Sequence, residues 1–169
     1  MKLTARRRAL TLTLLAALLP AAQPAGVRAQ QAPLPEFAVQ TLDGEEVQSG
    51  ELSTQQRWLL VYVRPNCAPC EDVFKVFRQS TSQSGVTSKV VMVVGGATLE
   101  EANGLAARVP WLPRQVWHVD VSKRAAAALS VKGAPTVYGV RQGKVEWDLK
   151  GATDGPRRLK SILESWSEQ

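Results

Sequence analysis

The residues of this chain best suited to chemistry are its only two cysteines, Cys67 and Cys70. They lie in the sequence RPNCAPC, after an apolar run at 58–63 (WLLVYV) and before a helical pattern. Residues three apart on a helix lie about 5–6 Å from each other, and a disulfide needs Cα atoms about 4.4–6.8 Å apart. The spacing therefore predicts a pair that can form and break a disulfide with little backbone movement.

The two cysteines are expected to differ in exposure and reactivity. Cys67 falls at the start of a predicted helix, where unpaired backbone N–H groups and the helix dipole stabilise a thiolate and lower the pKa of the thiol. Cys70 falls one turn further, on an apolar stripe that continues through Val73 and Phe77, and should be shielded. These positions predict that Cys67 attacks a substrate disulfide and that Cys70 resolves the mixed disulfide.

Two other uses of the cysteine pair fit the sequence less well. Structural zinc takes four nitrogen or sulfur ligands, and the single histidine, His118, is the only residue that could join the cysteines, so we expect no metal site. A structural disulfide stabilises a protein by closing a long loop, which two intervening residues do not provide. The sequence favours redox chemistry in the sulfur pair itself, with no bound cofactor.

The N-terminal segment has the pattern of a secretory signal. Residues 2–8 carry four basic side chains, residues 9–19 are apolar and uncharged, and residues 27–29 (VRA) suit the last positions before a cleavage site. The apolar stretch is shorter than the roughly 20 residues that span a bilayer, so cleavage near Ala29 is favoured over an N-terminal membrane anchor. The protein is therefore predicted to be exported to a periplasm-like compartment.

The leader also carries most of the positive charge. The formal net charge is +6, and five basic residues and no acidic ones lie in residues 1–29, so the mature chain is nearly neutral. This balance gives no reason to expect nucleic acid as a partner. The rest of the chain suits one domain, and we predict a signal peptide at 1–29, a short lead at 30–36 and a single domain at 37–169.

Patterns of apolar residues predict an α/β domain with a mixed central sheet. In chain order, the predicted elements are a hairpin around the Asp-Gly turn at 43–44, a strand at 58–63, a helix at 67–79, a strand at 89–94, a helix at 98–108, a strand at 115–120, a helix at 122–129, strands at 136–140 and 145–149, and a last helix. Alternating apolar and charged residues at 145–150 predict an antiparallel strand with one exposed face. Helices should cover both faces of the sheet.

Two motifs of this chain, in their order along the sequence, resemble those of the thioredoxin superfamily. The resemblance rests on residues 67–70 (CAPC) after a buried strand and on residues 134–136 (APT) at the start of a later strand. The N-terminal hairpin, the additional strand and helix before Ser122 and the leader are more similar to the exported TlpA/ResA-like branch. The resemblance implies a thioredoxin-like three-layer sandwich with an N-terminal hairpin extension over nearly the whole mature chain.

The resemblance also implies a substrate-binding loop. In that family the proline of the second motif follows a cis peptide bond and lies beside the cysteine pair. Carried over to this chain, Pro135 is expected to be cis and Ala134 to offer its backbone to an extended substrate segment.

Other members of the family often carry an acid that moves protons during thiol exchange. Val61 and Val73 stand at the two places where that acid is usually found, so we expect Glu71 or water to take its role. Arg64 and Pro69 are two further candidates for tuning the reactive thiol, Arg64 through its positive charge.

Together these features predict an exported thiol:disulfide oxidoreductase. The resemblance implies that it reduces disulfides in exported cysteine-containing proteins, cytochrome c precursors among them, and receives electrons from a membrane donor. We expect a monomer. The alternative is a non-catalytic thioredoxin-like module that binds partners or assists assembly.

Overall fold

The computed structural model describes residues 28–84, 89–151 and 155–167. All of the predicted signal peptide except Arg28 and Ala29 therefore lies outside the described residues. Within the described ranges, no helix combines the length and the apolar character that crossing a membrane requires.

The described residues form four α-helices and eight strands, and the eight strands make one mixed sheet. In chain order they are β1 (Arg28–Pro33), β2 (Ala38–Thr41), β3 (Glu46–Gln48), β4 (Arg57–Val63), α1 (Ala68–Ser84), β5 (Val90–Gly95), α2 (Leu99–Ala107), β6 (Trp117–Asp120), α3 (Arg124–Ala128), β7 (Thr136–Arg141), β8 (Lys144–Lys150) and α4 (Gly155–Ser167). The strand order is β1-β8-β7-β4-β5-β6-β2-β3. Strands β4, β5 and β6 are parallel to one another, and the other pairs are antiparallel.

Helices cover both faces of this sheet, which confirms the predicted α/β sandwich. Helices α1, α2 and α4 contribute buried residues to the core on one face, here called the α1 face. Helix α3 covers the opposite face, here called the α3 face, together with Phe37 and Leu52. Strand β4 supplies alternate residues to the two cores, which explains why its sequence is apolar almost throughout.

The segment predicted as a short lead contains a strand. Residues 28–33 form β1, which lies antiparallel to β8 with Ala32 opposite Val145. Immediately after it, the Leu34 N–H donates to the Gly143 carbonyl at 2.8 Å. The sequence of β1, RAQQAP, has no apolar alternation, so the backbone groups at the edge of β8 are what make it a strand.

The closing hairpin departs from the predicted alternation. The register of the β7–β8 pair shifts between Val145 and Trp147, so Glu146 is the extra residue of a β-bulge. The bulge places Val145 on the α3 face, whereas Trp147 lies on the α1 face. The prediction of one exposed charged face was therefore wrong, because Asp148 now faces Tyr138 on the α3 face and is buried.

Most predicted strands and helices differ from the structure by one or two residues at an end, and α1 by five. Helix α1 continues to Ser84, beyond the predicted end at residue 79. The strand expected at 115–120 begins with a 3-10 turn at Arg114–Val116, and only Trp117–Asp120 is extended.

Candidate functional site

Cys67 and Cys70 are joined by a disulfide at the start of α1. The sulfur atoms are 2.13 Å apart and the Cα atoms 5.2 Å apart, within the range that the helical spacing predicts. The backbone N–H of Cys70 donates to the carbonyl of Cys67 at 2.9 Å, so the pair closes the first turn of the helix.

The two cysteines differ in exposure as predicted. Cys70 is 1 % exposed and belongs to the core on the α1 face. Cys67 is partly exposed and packs against the edge of that core, and the two residues between them, Ala68 and Pro69, are exposed. A molecule that approaches this helix end therefore reaches Cys67 and not Cys70.

A tight loop connects the end of β4 to the cysteines. Asn66 has a φ of +55°, in the left-handed region that asparagine adopts more readily than most residues. Pro65 precedes it in the same turn. The loop therefore leads directly to Cys67, the residue that immediately precedes α1.

The second motif lies at the same edge of the sheet as the cysteines. The Ala134–Pro135 peptide bond is cis, as the resemblance implied. The next residue, Thr136, begins β7 and lies opposite Tyr62 near the end of β4. Because β4 runs on into the cysteine loop, the β4–β7 register places Pro135 at the sheet edge that carries Cys67.

Hydrogen bonds hold the loop that precedes β7. The Thr136 hydroxyl donates to the Gly133 carbonyl at 2.7 Å, and the Gly151 N–H donates to the Pro135 carbonyl at 2.9 Å. Ala134 is partly buried and packs against the core on the α1 face, as Cys67 does. The loop therefore has a defined position beside the edge of this core.

The three predicted tuning residues are all exposed around the cysteine pair. Arg64 follows the last residue of β4. Pro69 is the second residue of α1, where a helix needs no internal N–H donor. Glu71 lies in the first helical turn, where the helix dipole favours a carboxylate. Their influence on the thiols stays a prediction.

No buried acid accompanies the cysteines in the part of the chain that the structure describes. The buried carboxylates there are Asp120 and Asp148, and both lie on the α3 face, with Asp120 beside Tyr62 and Asp148 opposite Tyr138. The same ranges hold no cluster of side chains that could bind a metal ion. The expected role of Glu71 or water in proton transfer at Cys70 therefore stays a prediction.

Sequence reasoning missed a buried polar group behind the cysteine loop. Asp120 is fully buried and accepts hydrogen bonds from the Tyr62 hydroxyl at 3.2 Å and from the backbone N–H groups of Ala125 and Ala126 at 3.1 and 2.8 Å. Burial, followed by the charge of Asp120, raises the pKa of Tyr62, so its hydroxyl remains a donor. The sequence signal for this group is an aspartate between a strand and a short helix, where a carboxylate can accept hydrogen bonds from the first N–H groups of the helix.

Solved structures similar to this chain support its fold. One is a Chlorobium tepidum protein described as a thiol:disulfide interchange protein DsbE, which is 20 % identical, with a TM-score of 0.65 over 83 % of this chain and 98 % of that one. Another is a secreted Mycobacterium tuberculosis disulfide oxidoreductase homologous to E. coli DsbE, 15 % identical, with a TM-score of 0.59 over 76 % and 95 %. A third is BsSco, of the Sco family of cytochrome c oxidase assembly proteins, 17 % identical, with a TM-score of 0.56 over 82 % and 95 %.

Sequence comparison gives no such match. No family model matches the chain, and no curated protein is significantly similar to it in sequence. The structural similarity establishes a thioredoxin-like fold.

Proposed function

We propose that this protein is an exported thiol:disulfide oxidoreductase that reduces disulfides in exported proteins. The observation that carries the proposal is the asymmetric sulfur pair at the start of α1, in which a buried Cys70 is bonded to a partly exposed Cys67. Thiol–disulfide exchange requires that the attacking sulfur be accessible, and a buried second sulfur can resolve the mixed disulfide without itself meeting substrates. The thioredoxin-like fold supports this assignment by analogy.

The reaction begins from the reduced protein. The Cys67 thiolate attacks one sulfur of a substrate disulfide, which forms a mixed disulfide and releases the other substrate sulfur as a thiolate. Cys70 then loses its proton and attacks the Cys67 sulfur, which breaks the mixed disulfide and releases the second substrate thiolate. Two electrons have passed to the substrate, and the protein holds the Cys67–Cys70 disulfide. A membrane electron donor is proposed to reduce it again.

We assign substrate docking to Ala134 and Pro135. Both residues lie in the loop that leads into β7, at the sheet edge that carries Cys67. An extended segment can bind through backbone hydrogen bonds there, so that its own cysteine reaches Cys67. This role of Ala134 follows from the resemblance and its place in the fold.

The activity is tested by reduction of insulin in the presence of dithiothreitol. Wild-type protein is expected to accelerate the reaction, and Cys67→Ser is expected to lose the acceleration completely, because the remaining thiol, Cys70, is buried. Ala134→Gly, which keeps the backbone amide and carbonyl, serves as a matched control and should retain most of the activity. Insulin reduction by Cys67→Ser at the wild-type rate would remove the basis of the proposal.

The direction of electron flow is tested by equilibration with glutathione. A reductase is expected to have a reduction potential below about −180 mV, in the direction of thioredoxin at about −270 mV and away from a periplasmic oxidant at about −120 mV. A potential above about −180 mV would contradict the proposed direction and favour disulfide formation in exported proteins.

Export is proposed from the leader alone. Cleavage after Ala29 removes the first two residues of β1, while the pairing of Ala32 with Val145 and the hydrogen bond from Leu34 to Gly143 remain. The mass of the protein from an exporting host is therefore expected to correspond to a monomeric chain that begins at Gln30. A mass that includes the leader would favour an N-terminal anchor instead.

A non-catalytic module is the second candidate. It is favoured by the lack of a buried acid on the α1 face within the described residues and by the similarity to an assembly protein of the Sco family. If the protein is such a module, Cys67→Ser should bind the partner as well as wild type does. If it is an oxidoreductase, Cys67→Ser should lose covalent capture of the partner. Pull-down of exported proteins with both forms separates the two candidates.

A further inference from the structure

A cleft of about 370 Å³ opens beside the cysteine loop. Its lining residues are Tyr62, Arg64, Pro65, Asn66, Gly95, Gly96, Glu101, Lys123 and Ala126. Most of them come from the connections that follow β4, β5 and β6, the three parallel strands. Open α/β sheets bind ligands outside the carboxyl ends of such strands, and here the lining includes the residue that directly precedes Cys67.

The inner wall of the cleft has a fixed shape. The hydroxyl of Tyr62 is held by Asp120, and a Cβ at Gly95 would collide with that hydroxyl, so only glycine fits there. At Gly96, with a φ of +66°, a Cβ would meet nothing within 4 Å. The two glycines therefore let Tyr62 approach the backbone and leave open space beside it.

The acidic and the basic side chains around the cleft differ in whether they have partners within the described residues. Glu101 accepts hydrogen bonds from the backbone N–H and the hydroxyl of Thr98 at 2.8 and 3.2 Å, and Asp120 is buried and bonded to three donors. Arg64 and Lys123 are exposed, and neither forms an ion pair with another residue of the described ranges. Both acids are thus already hydrogen-bonded within the protein, whereas the two exposed cations are available to a ligand.

We infer that this cleft binds an acidic side chain that flanks the reactive cysteine of a polypeptide substrate. The inference rests on the proposed function, because the substrate is held there while Cys67 attacks its disulfide. A carboxylate in the cleft pairs with Arg64 and Lys123, and the disulfide under attack lies close by, because Asn66 lines the cleft and directly precedes Cys67. The cleft therefore selects substrates with Asp or Glu near the cysteine over those with Lys or Arg.

The test is single-turnover reduction of two peptides by prereduced protein. The peptides are identical except for Asp or Lys beside a cysteine that is capped as a neutral hydroxyethyl disulfide, and the released peptide thiol is quantified. Wild-type protein is expected to reduce the Asp peptide about tenfold faster at low ionic strength, which corresponds to about 1.4 kcal/mol. The preference should decline in about 1 M salt, because exposed charges are then screened.

Three charge variants locate the preference. Lys123→Glu and Arg64→Gln are each expected to reduce the ratio of the two rates at least about threefold, since each removes one cation. Lys144→Glu is the matched control, because Lys144 is exposed at the first residue of β8, beside the sheet edge where β4 begins. The Lys144→Glu variant should show the same two rates, and the same ratio between them, as wild type. Circular dichroism verifies that all three variants fold.

The outcomes separate this inference from the proposed function. Failure of wild-type protein to reduce either peptide contradicts the proposed function itself. Equal reduction of the two peptides, or a preference that persists in both Lys123→Glu and Arg64→Gln, overturns the acidic-substrate site and leaves the oxidoreductase assignment intact.

Discussion

One helical turn separates Cys67 from Cys70, and that turn leads from the protein surface into the core. Burial disfavours the charged thiolate of Cys70, whereas the helix N-terminus favours a thiolate at Cys67. For the proposed reaction we therefore expect Cys67 to attack first and Cys70 to react only when a mixed disulfide lies within its reach. This difference predicts distinct behaviour for the two serine variants.

Cys70→Ser should trap the mixed disulfide. Its Cys67 can still attack a substrate disulfide, but no second sulfur is present to release the product, so a covalent adduct accumulates. Intact mass spectrometry after incubation with a disulfide-containing peptide is expected to detect the adduct in nearly all of the Cys70→Ser protein. Cys67→Ser is the control, and an adduct on that variant instead would reverse the assigned roles.

Glu71 is the acid nearest in sequence to the resolving cysteine. We expect Glu71→Gln to slow the release of the second substrate thiol by a factor of about three, less than the roughly 10² typical of a general base, because water competes at an exposed position. Asp72→Asn is the matched control, since the Asp72 carboxylate lies 2.9 Å from the Lys75 ammonium group. Equal rates for wild type and Glu71→Gln would assign the proton transfer to water.

At the scale of elements, Asp120 fixes α3 to the sheet. Asp120→Ala leaves two backbone N–H groups and the Tyr62 hydroxyl without their acceptor, so we expect a loss of about 2–4 kcal/mol in the free energy of unfolding. Tyr62→Phe removes a single hydrogen bond and should cost about 1 kcal/mol. Urea unfolding of both variants measures the difference, and equal losses would mean that the backbone contacts contribute little.

Elements defined by local patterns could be predicted, and elements defined by distant partners could not. Strand β4 and helix α1 carry their own apolar signals, and the cysteine spacing alone indicated the disulfide. Strand β1 depends on the open edge of β8, and the bulge at Glu146 depends on its pairing with β7. The cis bond before Pro135 could be expected only from a resemblance, because trans is the commoner state. The cleft is formed by residues from several separate connections, so no single segment of sequence indicates it.

At the scale of the whole molecule, the position of β4 organises the candidate site. β4 lies between β7 and β5 in the sheet, so the loop that carries Cys67 has neighbours on two sides. The cis-proline loop precedes β7 on one side, and the cleft with Lys123 follows β5 and β6 on the other. Under the proposed function, a substrate segment that crosses this edge meets the Ala134–Pro135 loop, Cys67 and the charged cleft in turn.

The stability of the whole domain is expected to depend on pH through His118. This residue, the only histidine, is 6 % exposed on β6, and burial lowers its pKa below the ordinary value of about 6.5, although the neighbouring Val116 backbone opposes the shift. As the pH falls below about 6.5, the histidine side chain becomes protonated in the unfolded chain, whereas His118 in the folded protein stays neutral. The free energy of unfolding therefore decreases, by at most about 1.4 kcal/mol per pH unit, until the folded pKa is reached.

Urea unfolding of wild type and His118→Gln at about pH 7.5 and about pH 5.5 measures this contribution. Glutamine keeps a polar side chain of similar length but does not titrate in this range, so the wild type is expected to lose more stability on acidification than the variant. Carboxylates titrate in both proteins and cancel in the comparison. Equal losses in the two proteins would mean that His118 accepts its proton in the folded state as readily as in the unfolded chain, and that its burial has no influence on the acid stability of the domain.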